Sequence, residues 1–168
     1  MKFKLRLPEN KLQYWADRNH GDPKALIAIG EKAKDRGNLI KEEFLKICAD
    51  KSPRTKSRCA SNDADFIREV TRISFGSKHK QITIQSLLML VGVGWPTASY
   101  ILHFCAKEEY PVLDFRALWS LSVDKPPVYT FPFWYEYTSF CRDLAKKNQM
   151  RLRTVDAALW QYSKEKQK

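Results

Sequence analysis

Apolar residues in this sequence recur at three- and four-residue spacing, and no stretch alternates as a half-buried strand would. Helices are therefore what the chain can build, and glycine and proline decide where each one stops. Residues 22–37, DPKALIAIGEKAKDRG, open with Asp22 as a cap and Pro23 in the first turn, and close at Gly37. Residues 40–51 place Ile40, Phe44, Ile47 and Cys48 on one face, and residues 63–76 read as a helix closed by Gly76. Thr83 reads as the cap of the apolar run that ends at Gly92 and Gly94, after which Pro96 restarts a helix. Tyr110 precedes a proline and is extended; helical spacing returns by residue 121. After the proline-rich link 124–132 come two more helices, the second capped by Thr154. The reading is an all-α protein of seven to nine helices.

The 168 residues carry 30 Lys plus Arg against 19 Asp plus Glu, a formal net charge of +11 that suits a polyanionic partner. Four of the cations, Lys51, Arg54, Lys56 and Arg58, fall in one Pro- and Ser-containing stretch with no acid among them. No apolar run approaches a membrane span, and MKFKLRLPENK lacks the apolar stretch of a signal peptide, so a cytoplasmic or DNA-associated protein without membrane contact is expected. The cysteines at 48, 59, 105 and 141 form no CxxC pair, which argues against zinc or an iron–sulfur cluster and for core positions. None of the three histidines has ligand spacing.

The stretch LVGVGWPTAS, residues 90–99, bends the backbone between two helices. Glycines there allow a tight corner, and such a corner can offer the N–H groups of the following helix to a phosphate. A tight helical corner that binds nothing would need the same glycines.

This stretch resembles the hairpin of the helix-hairpin-helix DNA glycosylase superfamily, Leu-Pro-Gly-Val-Gly, two variable residues, then Thr-Ala. Leu90, Gly92, Val93, Gly94, Thr97 and Ala98 match, and Val91 replaces the usual proline. Downstream, Pro111, Val112 and Asp114 in YPVLDFRAL match the segment that delivers the family's catalytic aspartate. Bifunctional members carry a nucleophilic lysine in the hairpin; here Pro96 stands at that position, 18 residues before Asp114. The resemblance covers Thr83 to Leu121 and implies a single two-lobed helical domain over 1–168. Its helix-hairpin-helix lies within 83–107, an active-site cleft lies between the lobes, and helices 131–168 pack back on the N-terminal lobe.

The activity implied is excision of a damaged or modified base from double-stranded DNA by a monomer. A carboxylate beside the sugar stabilises the positive charge that builds as the base departs. Asp114 is the candidate, although Asp is also a favoured helix cap and Asp114 precedes FRALWSL. Glu43, with Glu42 beside it, is the candidate second acid. Without a lysine at 96 there is no Schiff base through that position. Gly92, Val93, Gly94, Trp95 and Thr97, with Lys51, Arg54, Arg58 and Arg116, are the expected DNA contacts. Trp134 and Tyr135 are candidates for the pocket of an extruded base, while Trp15, Trp119 and Trp160 read as core. No cofactor is required. A monovalent cation, sodium or potassium, on backbone carbonyls near Leu90, Gly92 and Trp95 accords with the family pattern. A DNA-binding module that has lost catalysis fits the same residues, and so does an RNA- or protein-binding helical domain if the charge is dispersed.

Overall fold

The structure, a computed structural model, describes residues 3–125 and 127–167. Among them are ten α-helices and three short 3-10 turns, with no strand, as the apolar periodicity requires. The chain divides into two compact units: one formed by Met1–Gly21 with Tyr110–Lys168, the other by Asp22–Glu109.

The second unit is continuous in sequence. It holds α2 (Lys24–Arg36), α3 (Lys41–Lys51), α4 (Lys56–Ala60), α5 (Ala64–Gly76), α6 (Lys80–Gln85) and α7 (Trp95–Cys105). Gly37, at φ +82°, ends α2 in the left-handed conformation that favours glycine. Phe44, Ile47, Ile67, Ile84, Leu87, Leu90, Ile101 and Leu102 are buried at its centre. Each such side chain contributes roughly 1.5–3 kcal/mol by leaving water. Helix α2 lies so close to α7 that a Cβ at Gly30 would collide with the Phe104 carbonyl.

Two helix starts in this unit differ from the sequence reading. Asp22 lies one residue outside α2's cap, Pro23, and its carboxylate faces the His103 ring at 3.4 Å. Thr83 lies inside α6, where its hydroxyl donates back to the His79 carbonyl, the bond that makes threonine an ambiguous cap signal. After residue 51 a 3-10 turn at Pro53–Thr55 leads directly into α4.

The first unit joins the chain's two ends through α1 (Leu12–Asp17), α8 (Phe115–Ser120), α9 (Phe131–Lys147) and α10 (Leu152–Lys166). Trp15 of α1 meets Tyr162 of α10 edge to face at 5.1 Å, and Arg18 binds both Glu165 oxygens at 2.9 and 2.8 Å. Phe3 packs among Phe133, Tyr137 and Phe140 of α9. Thr154 lies within α10, which begins two residues earlier after Arg151. Trp15 is buried as expected; Trp119 and Trp160 are only half-buried, each beneath a basic side chain.

Candidate nucleic-acid interface and carboxylate site

In the second unit a 3-10 turn, Ser86–Met89, carries the chain from α6 into the hairpin. Gly92 takes φ +86°, and a Cβ there would stand 2.7 Å from Cys59 Sγ and 3.0 Å from Cys59 N. Both the backbone conformation and the close approach of α4 therefore demand glycine. Gly94 needs neither: its φ is −103° and the nearest atom to an added Cβ, Pro96 Cδ, is 3.9 Å away. Of the two, only Gly92 takes a positive φ.

The Asn62 side chain fastens the turn. It accepts the Val91 N–H at 2.8 Å and donates to the Val91 carbonyl at 2.9 Å and to the Cys59 carbonyl at 2.9 Å. One buried amide thus ties the hairpin to the end of α4. The sequence reading passed over Asn62, since a clamp across 29 residues has no local signature.

That tie brings the basic stretch to the hairpin. The Arg58 Cβ would lie 3.2 Å from a Cβ at Gly92. Arg54, Lys56 and Arg58 are exposed and form no ion pair among the described residues. Lys51 leans over the Tyr100 ring at 5.4 Å. After the hairpin α7 begins without a side-chain cap. Pro96 in its first turn has no N–H, and those of Gly92, Gly94, Trp95 and Thr97 meet no acceptor among the described residues. The Val93 and Thr97 side chains are buried, so these residues offer backbone; Trp95 is half-buried. The Leu90 carbonyl accepts the Val93 N–H and the Val91 carbonyl accepts Asn62.

Glu43 has a different role from the one expected of it. It is 8% exposed in the first turn of α3, where its carboxylate accepts the Ile40 N–H at 3.3 Å and pairs with Arg36. A carboxylate committed to a cap and a guanidinium is a structural ion pair, and its burial removes it from substrate.

In the first unit the segment before Asp114 is pinned from both sides. The Val112 N–H donates to Asp156 Oδ1 at 3.1 Å, and the Val112 carbonyl accepts the buried Tyr137 hydroxyl at 2.8 Å. Asp114, half-buried, then caps α8 by accepting the Arg116 N–H at 2.9 Å. Burial, and secondarily the Asp114 charge, pushes the Tyr129 phenol up. Burial pushes Tyr137 well up too, with Cys141, Asp156 and Asp114 adding to it. Two phenols that keep their protons therefore lie in the field of this carboxylate.

Trp134 corrects another expectation. It has no surface open to solvent: Tyr110 stacks on it at 5.6 Å and Phe131 covers it at 6.1 Å. A base cannot stack on a ring whose faces are already filled. Tyr135, the next residue along the helix, points outward and is 47% exposed. Arg116 lies over Phe115 and Trp160.

All four cysteines are buried free thiols, and burial pushes Cys105 up to about 12. Among the described residues no group of three His, Cys, Asp or Glu side chains could hold a metal ion, and no helix is long and apolar enough to cross a membrane. No family model, curated protein or solved structure matches this chain.

Proposed function

We propose that this chain is a monofunctional DNA glycosylase, which grips duplex DNA through the hairpin of its second unit and releases a damaged or modified base with Asp114 of its first. The observation that carries the reading is the start of α7, whose N–H groups are uncapped and follow a turn packed against Arg58, a member of the exposed basic stretch that also holds Arg54 and Lys56. A helix start of that kind favours an anion, and adjacent unpaired cations suit a phosphate backbone rather than an isolated small ion.

For the chemistry, the bond between C1′ of the sugar and the base nitrogen breaks, and its electron pair leaves with the base. Positive charge builds on the sugar, and a carboxylate held by its own helix stabilises it without having to reorganise. Water adds to C1′, its proton passes to the departing base, and an abasic site remains. Pro96 lies in the first turn of α7 and offers no amine, so no Schiff base forms there and strand cleavage does not follow. A cytoplasmic monomer that needs no cofactor, with a sodium or potassium ion on the hairpin carbonyls, belongs to the same proposal.

The test is base release from duplexes carrying alkylated, oxidised, deaminated or mismatched bases, with alkali added afterwards to reveal abasic sites. Wild type is expected to release one class of base, with strand breaks only after alkali. Asp114→Asn is expected to bind DNA with wild-type affinity and release none. Because asparagine caps as well as aspartate, the variant keeps its fold. A second reading, a DNA-binding module without catalysis, is favoured by the bond from the Arg116 N–H, since capping alone accounts for an aspartate at 114. DNA binding with no release from any duplex would establish it.

A further inference from the structure

Beside Asp114 lies a group of side chains that catalysis does not use. Phe115, the first residue of α8, is 55% exposed although Arg116 Cζ stands 5.1 Å from its ring centroid. The guanidinium also reaches the Trp160 ring at 5.7 Å, and Lys164 Nζ covers Trp160 at 5.0 Å. Neither Arg116 nor Lys164 forms an ion pair among the described residues. The base of the patch is fixed, because Ser120 Oγ at the end of α8 donates to the Leu159 carbonyl of α10 at 2.6 Å.

An exposed aromatic ring under one unpaired guanidinium, with a second unpaired cation over the Trp160 ring that the guanidinium also reaches, has the composition of a surface for stacked bases and their phosphates. The charge of the unit agrees: it carries fifteen basic against eight acidic residues, a larger excess than the fifteen against eleven of the unit that holds the hairpin. The hairpin is thus not where most of the positive charge resides.

We infer that Phe115 is a stacking platform for an unpaired nucleobase of bound DNA, with Arg116 and Lys164 holding the phosphates beside it. This rests on the DNA-binding reading above but not on catalysis. Phe115 is placed for the role by the Asp114 cap, which fixes the start of α8 and so the direction in which the ring projects.

The experiment uses the full chain and a duplex with 2-aminopurine opposite an abasic analogue, followed by anisotropy for affinity and by 2-aminopurine emission for stacking. Wild type is expected to quench the probe. Phe115→Ala is expected to bind about tenfold more weakly and to lose the quench, and Phe115→Tyr to keep both. Arg116→Ala and Lys164→Ala should each lower the salt dependence of binding by about one phosphate while leaving the quench. Since the ring is exposed, thermal melting of Phe115→Ala should match wild type. Equal affinity and equal quenching for wild type and Phe115→Ala would overturn the platform while leaving DNA binding intact. Failure of wild type to bind the duplex at low salt would overturn both.

Discussion

Helices α7 and α8 begin in opposite ways. The first starts at Gly94, which supplies no side-chain acceptor, followed by a proline with no N–H, and its first-turn amides meet no partner among the described residues. The second starts at Asp114, whose carboxylate closes the turn from within. Both ends carry the positive pole of the helix, so both attract negative charge. One unit leaves the anion to be supplied from outside, while the other has it built in. A helix start can therefore bind an anion or hold a carboxylate in place, and the residue at the cap decides which.

The most disruptive way to break the contrast is to remove the turn that sets up the uncapped start. Gly92→Val forces a branched side chain into positive φ and against Cys59, so the second unit should lose several kcal/mol, on the order of 3, and DNA affinity should fall at least tenfold. Thermal melting and anisotropy titration at fixed salt check this; a variant as stable as wild type would mean that α4 yields.

Gly94→Asp sharpens the contrast by making α7 start as α8 does. The site is extended and uncrowded, and the Thr97 N–H is available to the new carboxylate. Stability should hold or rise by up to about 1 kcal/mol, while DNA affinity drops by about tenfold. An undiminished affinity would remove α7 from the interface.

A smaller effect is expected from replacing Arg54, Lys56 and Arg58 together by glutamine. The salt dependence of DNA binding should become shallower by about 0.9 for each phosphate the protein no longer neutralises, with melting unchanged because all three are exposed and unpaired. A slope equal to that of wild type would assign the phosphate grip to the first unit instead.

The smallest change concerns acid. Hydrogen bonds from Lys147 and Asn148 hold Glu9 below its usual range, Arg18 and Gln161 do the same for Glu165, and the Phe66 and Asp65 N–H groups hold Asp63 down at the cap of α5. A depressed carboxylate contributes stability above its unfolded value and loses it as pH falls through the folded one. Melting temperature should therefore hold above about pH 5 and decline as pH falls below it. Because Glu9 and Glu165 belong to one unit and Asp63 to the other, a decline in one unit's signals alone would show that the two differ in more than their helix starts.

What could be read along the chain was local. Apolar spacing announced an all-helical protein, Gly37 and Gly92 marked turns, and the 51–58 stretch declared its charge. The misreadings came where a partner, near or far in sequence, decides what a side chain does. Glu43 looked like a solvated or catalytic acid until Arg36 and the Ile40 N–H claimed it, and Trp134 looked available until Tyr110 and Phe131 covered it. Thr83 read as a cap because a hydroxyl serves equally well inside a helix by bonding to a carbonyl one turn back, while Thr154 sits in the first turn of α10, past its cap at Arg151. Asn62 is the clearest omission: its worth lies entirely in being opposite Val91.

The division of the chain also has a kinetic side. The second unit, Asp22–Glu109, is a single uninterrupted stretch, whereas the first needs both ends, with Arg18 meeting Glu165 across 147 residues. During synthesis the middle of the chain can reach its native contacts while α1 still waits for α10 to leave the ribosome, since units assembled from near neighbours close ahead of those assembled from remote ones. On this order the hairpin unit can mature first, and the helix that Asp114 caps gains its support from α10 only once α10 has been made.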